Sequence, residues 1–190
     1  FRQIYKLSNK EDSIDFSILE AREKLTPDQV LEILKAGNKR FIEGHPLDRT
    51  LLKSSVVDKS QSAAIAAIVS GIDSYTPVEM IFDLGMGDAY VVRTPGVVIG
   101  PETIGGVEYA VSVRGAKVVI VLGHSDSSLL SLTIQNMSSD DNKADLADCN
   151  NLKNVLEQIA LSIDIGGART FSTLSELEQL DYLDQVARLH

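Results

Sequence analysis

The chain has 190 residues, a length that suits one domain of ordinary size with a real core. Its 44% hydrophobic and 5% aromatic content describes a soluble globular protein built on aliphatic side chains. With 27 acidic against 18 basic residues the formal net charge is −9, which argues against a nucleic-acid partner, since that surface needs a basic stripe or patch.

One cysteine, Cys149, lies in the polar stretch Ala147-Asp148-Cys149-Asn150. A single thiol forms no internal disulfide and builds no cysteine-rich metal site, and a reducing, cytoplasmic setting is the simplest expectation. The longest apolar run, Ala63 to Val69, is strand length, far short of the roughly 18–20 residues that span a bilayer, and no signal-peptide pattern is present. The chain opens on Phe1 and stops at His190 inside a predicted helix, so it is expected to be a piece of something longer.

Residues 1–24 are mixed and polar, with an acidic patch at Glu11, Asp12 and Asp15, and read as a linker or arm. Thr26-Pro27 then opens a helix, Thr as N-cap and Pro at the first helical position, with Val30, Leu31, Leu34 and Phe41 as its apolar stripe up to Gly44. After a polar segment, 45–62, a repeating pattern begins. Ala63–Val69 is a first strand and Thr76–Leu84 a helix; Ala89–Val92 is a second strand, followed by a helix from Glu102 to Val113. Lys117–Leu122 is a third strand and Ser127–Met137 a further helix. Strands alternating with helices imply βαβ units, hence an α/β fold with a parallel sheet covered on both faces. Ligands bind such sheets at the carboxyl ends of strands, which places the segments 70–75 and 123–127 at the expected site. Residues 138–150 read as an acidic loop. Two amphipathic helices follow, Leu152–Ile163 and Thr173–His190, the second with a stripe of Leu174, Leu177, Leu180, Leu183 and Val186.

Four stretches in this frame resemble the β-class carbonic anhydrases: the run Glu79 to Asp88, Val92-Arg93-Thr94-Pro95-Gly96, Gly105-Gly106-Val107-Glu108-Tyr109-Ala110, and Val121-Leu122-Gly123-His124. The similarity runs from Leu25 to Met137 and more weakly to His190, with the motifs in the right order and spacing. It implies a β-carbonic-anhydrase-like fold over residues 25–190, a parallel sheet core flanked by helices, dimeric, and with the C-terminal part of the fold absent from this chain. The family's signature is Cys-x-Asp-x-Arg after the first strand and His-x-x-Cys-Gly after the third; both cysteines and the histidine bind zinc, and the Asp–Arg pair controls access to it. Here those motifs read Gly71-Ile72-Asp73-Ser74-Tyr75 and His124-Ser125-Asp126-Ser127-Ser128. Asp73 and His124 are retained, whereas both thiolates and the dyad arginine are replaced. The Ala-Gly-Asn that follows the family's second strand reads Pro95-Gly96-Val97.

Tetrahedral zinc needs several good donors, and thiolates carry much of the binding. Without the metal, bound water is not brought from a pKa of about 15.7 to about 7, so no hydroxide nucleophile forms. The resemblance therefore implies a carbonic-anhydrase-like pseudoenzyme, with no metal and no cofactor. The expected role is a dimerising or regulatory module that senses bicarbonate or another anion. The alternative is residual, metal-free CO2 hydration using Tyr75, Ser127 and ordered water, with Asp73 or His124 as base. No catalytic residue is assigned; the vestigial pocket comprises Gly71, Asp73, Tyr75, His124 and Ser127.

Each of these residues also has a plainer reading. His124 is a hydrogen-bonded relic, Asp73 caps the turn before Thr76-Pro77 or lines the pocket, and Ser125, Ser127 and Ser128 cap the helix that follows. Gly85 and Gly87 serve turn geometry, and Arg93 meets an anion or, more commonly, a carboxylate. The arm Ile14-Asp15-Phe16-Ser17 leading into Leu25–Leu34 further resembles the carbonic-anhydrase-type domain fused to SulP-family anion permeases. That resemblance implies a homodimer covalently linked to a membrane transporter, at the cytoplasmic face of the membrane.

Overall fold

The computed structural model describes residues 22–47, 64–85, 87–124, 126–137, 146, 148–164, 167, 174, 175, 179 and 182. In chain order, helix α1 is Pro27–Ile42, strand β1 Ala66–Gly71, helix α2 Val78–Ile81 and strand β2 Ala89–Thr94. Helix α3 is Pro101–Glu108, strand β3 Val118–Leu122, helix α4 Ser128–Met137 and helix α5 Asn150–Ala160. The strands form a parallel sheet in the order β2-β1-β3, flanked by helices, the α/β architecture expected from the alternating pattern. All six residues of the central strand β1 are buried, as a strand covered on both faces must be.

The contacts divide into two compact units. The first takes the described residues up to Ile68, with Thr76–Val92 and Pro101–Ile120. In it α1 starts with a full capping box, the Gln29 N–H donating to the Thr26 hydroxyl and the Thr26 N–H to the Gln29 side chain. The helix buries Val30, Ile33, Leu34 and Gly37, whereas Leu31 and Phe41 of the expected stripe are exposed. Gly37 permits a close approach, because a Cβ there would stand 1.9 Å from the Phe82 carbonyl oxygen. Asn38 Nδ2 donates to the Ile81 carbonyl at 3.1 Å, and Arg40 Nε donates to Asp83 Oδ2 at 2.5 Å, so α1 grips the end of α2. Asp83 itself adopts φ 46°, which ends α2 well before the Leu84 expected from the sequence.

Asp88 is the other buried carboxylate of this unit, 1% exposed and 2.6 Å from Arg22 Nη2. Burial pushes its carboxyl up to about 7, against the Gly85 N–H that favours the ionised form. The Arg22 guanidinium acts in the same direction as that N–H and is the ion-pair partner of the carboxylate when it is charged. The helix expected from Glu102 to Val113 runs as α3 to Glu108 and then widens into a π-type turn over Tyr109–Val113. Tyr109 packs its ring edge on Tyr90 at 5.8 Å, and Arg114 Nε donates to the Tyr90 hydroxyl at 2.7 Å.

The second unit holds Val69–Tyr75, Arg93–Gly100 and the described residues from Val121 onward. Its core joins Leu130 and Ile134 of α4 to Leu156 and Ile159 of α5, with Ile163 beyond. Each such side chain contributes about 1.5–3 kcal/mol by leaving water. The chain turns from β2 into this core through a short 3₁₀ turn, Pro95–Val97. Gly96 lies at φ 61°, and a Cβ on it would meet Ile159 Cδ1 at 2.3 Å, so both conformation and space demand glycine there. Val97 follows at φ 58°, a strained conformation for a β-branched residue.

Boundaries move by a few residues from the sequence expectation. The first strand continues to Gly71 because Ser70 stays buried, and the second continues to Thr94. The helix expected over Leu152–Ile163 spans Asn150–Ala160. The arm of residues 1–21 and nearly all of the last predicted helix lie outside the described residues, as does Ser125. Among the described residues no helix is long and apolar enough to cross a membrane.

Candidate functional site

The site lies within the second unit, where β1 and β3 deliver their carboxyl ends. Gly71 is the last residue of β1, and Asp73 and Tyr75 stand on the loop beyond it; His124 follows β3, and Ser127 precedes α4. The structure brings Gly71, Asp73, His124 and Ser127 within a few ångströms of one another, and Asp73 is the hub. Ser127 Oγ donates to Asp73 Oδ2 at 2.6 Å, and the Leu129 N–H reaches the same oxygen at 3.4 Å. His124 Nε2 lies 3.2 Å from Asp73 Oδ1. An ionised carboxylate only accepts, so the ring proton of His124 sits on Nε2 while this pair stands.

Burial acts to raise the Asp73 carboxyl, but the hydrogen bonds from Ser127, His124 and the Leu129 N–H outweigh it and hold the group below the usual carboxylate range. Asp73 accepts from the Leu129 N–H of α4 from across the fold, as a resident anion at the helix N-terminus. Ser127 completes that cap, accepting from the Leu130 N–H at 3.2 Å. These two amides at the helix N-terminus thus have internal partners.

Arg93 meets neither an anion nor a carboxylate in the bonds described for it. Its Nε donates to the Gly71 carbonyl at 3.0 Å and its Nη2 to the Ser74 carbonyl, clamping the loop that carries Asp73. No motif signalled this clamp, because its acceptors are backbone atoms whose positions depend on the folded loop.

Beside Asp73 opens a cavity of about 550 Å³. Asp73 and Tyr75 form one wall, and Ser128, Ser131, Leu132 and Gln135 line the other along α4, with Asp126 and Leu129 completing it. Tyr75 is 94% exposed, its ring presented at the opening. Asp126, Ser131 and Gln135 carry no motif, although Ser128, Ser131 and Gln135 recur at i, i+3 and i+7 of α4 as a legible polar stripe. Neither His124 nor Ser127 lines this cavity. Among the described residues no three His, Cys, Asp or Glu side chains are grouped so as to hold a metal ion.

The carbonic anhydrase family model matches residues 66–188. A carbonic anhydrase of Mycolicibacterium smegmatis is 31% identical over 157 residues, 82% of this chain and 74% of that protein. Carbonic anhydrase 2 of Mycobacterium tuberculosis is 32% identical over 160 residues, 82% of this chain and 73% of the relative. Among solved structures, a tetrameric β-carbonic anhydrase from Sordaria macrospora superposes with a TM-score of 0.53 at 19% identity, covering 85% of this chain and 74% of that one. The expected fold is thus present, with α/β topology, parallel sheet and helices as the neighbour has them, and the chain belongs to the β-class carbonic anhydrase family.

Proposed function

We propose that this chain is a zinc-free member of its family, a regulatory or assembly module in place of a working zinc enzyme. The observation that carries the reading is the closure of Asp73 onto Ser127, His124 and the Leu129 N–H, at the position where the family places its metal. The donor set does not fit zinc. Gly71 has no side chain, the Ser127 hydroxyl is a poor ligand at neutral pH, and the Nε2 of His124 carries a proton while it is paired with Asp73. A Cβ at Gly71 would stand 2.7 Å from Asp73 Oδ1 and 3.4 Å from His124 Nε2, so the space of the missing thiolate is taken up by the carboxylate.

Within this reading the module pairs with a second copy and serves an attached anion permease, as the resemblance of its first residues implies. Bicarbonate is the anion the family background suggests, but it would have to displace Asp73 from Ser127 and Leu129 before it reached those donors. The Asp73–His124 pair is also the one base-like unit that favours the metal-free hydration alternative.

Elemental analysis of the purified chain, with CO2 hydration measured by stopped flow before and after chelation, tests the proposal. Substoichiometric zinc and no hydration above the buffer rate are expected. Stoichiometric zinc with activity lost on chelation overturns it, and activity that survives chelation installs the alternative.

A further inference from the structure

We propose that the cavity between the Asp73–Tyr75 loop and α4 binds a small organic cation, a compound with a primary or quaternary ammonium group. The inference rests on the zinc-free reading, since it requires Asp73 to line the cavity as an ionised carboxylate and not as a metal partner.

The cavity's volume of about 550 Å³ is in the range of small-molecule sites, and its chemistry is one-sided. Two carboxylates, Asp73 and Asp126, line it, and among the described residues no Lys, Arg or His does. An anion entering here would meet two negative charges, and the nearest helix amides are engaged by Asp73 and Ser127. A cation meets the reverse: the exposed Asp126 is a counter-ion for it, and the charge of Asp73 adds to the attraction.

Tyr75 adds an independent observation. A tyrosine that is 94% exposed gains nothing from core packing, yet its ring forms part of the cavity wall. An aromatic face beside carboxylates attracts ammonium groups through its quadrupole, and it does so for quaternary ammonium without needing hydrogen bonds. Leu129 and Leu132 supply an apolar strip for the organic portion, and the Ser128, Ser131 and Gln135 side chains supply polar contacts to a hydroxyl or carbonyl on it. A neutral polyol would use the same hydroxyls but leave Asp126 and the aromatic face without charge complementarity; it is an alternative for the experiment to exclude.

The test is a titration of isotopically labelled protein followed by amide NMR, with choline as probe and its uncharged isostere 3,3-dimethylbutan-1-ol as control. Zinc content is measured on the same sample, so that failure of the zinc-free reading shows separately as stoichiometric metal. Saturable shifts at Tyr75 and along residues 128–135 are expected with choline, and binding at least about tenfold weaker with the isostere. Tyr75→Leu and Asp126→Asn, both at exposed positions, should each weaken choline about two- to fivefold. Glu102→Gln removes the same charge from α3 and should leave binding unchanged. Equal binding of the uncharged isostere, saturation by sorbitol or bicarbonate with none by choline, or indifference to both Tyr75→Leu and Asp126→Asn each overturns the proposal.

Discussion

Replacing Gly71 and Ser127 together by cysteine should turn this protein into a zinc binder. The positions converge on the retained histidine: a Cβ at 71 would lie 3.4 Å from His124 Nε2, and Ser127 Oγ lies 2.6 Å from Asp73 Oδ2, itself next to that ring. The new Cβ at 71 would also stand 2.7 Å from Asp73 Oδ1, so Gly71→Cys forces the carboxylate to swing, which releases His124 Nε2 to lose its proton and coordinate. The displaced atom is the end of a short side chain, so the move costs a rotamer change and the hydrogen bonds from Ser127 and Leu129, about 1–3 kcal/mol. Structural zinc bound by four ligands is worth about 10–16 kcal/mol, or roughly 2.5–4 per ligand. Two restored thiolates thus contribute about 5–8 kcal/mol before that cost and about 2–7 after it, an affinity gain over the parent of about thirtyfold to a hundred-thousandfold. Competition against a chelating dye measures it directly, and cobalt substitution reports thiolate coordination by its absorption. If the double variant binds no more zinc than the parent while keeping its circular dichroism, the two substitutions do not explain the zinc-free state. If the parent already binds zinc as tightly, the reasoning fails at its first step.

Three further outcomes follow from the same structure. Asp73→Ala leaves the Ser127 hydroxyl and the Leu129 N–H without their shared acceptor and should cost about 1–3 kcal/mol in denaturant unfolding at neutral pH. Because the folded Asp73 carboxyl lies below its unfolded value of about 3.9, its contribution is present above that pH and is lost as pH falls through the folded value. The gap between parent and variant should therefore close in acid, and a gap constant down to pH 2 refutes the assignment. Val97→Asn, at φ 58°, places a residue that tolerates the left-handed region where a β-branched one is strained, and should raise stability by about 1 kcal/mol, or roughly 2–4 °C in Tm; an unchanged or lowered Tm argues against strain. Arg22→Gln should leave Asp88 buried without its cation, at a cost of about 3–5 kcal/mol near neutrality. Burial already pushes the Asp88 carboxyl up to about 7 in the parent and loss of the cation pushes it further, so stability of that variant is greatest below about pH 4 and falls as pH climbs through neutrality. A variant whose stability rises over that interval contradicts the buried-pair account.

What the amino-acid order determined by itself is the alternation that makes the fold and the substitutions that alter the site. Apolar runs ending in turn residues mark β1, β2 and β3, and of the three only the central β1 is buried along its whole length. Thr26-Pro27 fixes the start of α1 locally, through a cap closed within four residues. By the resemblance, Gly71 and Ser127 stand where the family's motifs carry cysteine, at fixed offsets from Asp73 and His124. The tertiary structure alone decided where those survivors point. Asp73 caps a helix more than fifty residues away in sequence because β1 and β3 end side by side, a proximity no local pattern encodes. Arg93 clamps the Asp73 loop through carbonyls that come within reach only once the chain has folded. Asp83 stops α2 because Arg40, from α1, and the Leu47 N–H hold its carboxylate, so a helix of good local propensity yields to a long-range ion pair. Local chemistry sets which elements form; which side chains meet is set by the sheet order, since only the sheet brings the ends of distant strands together.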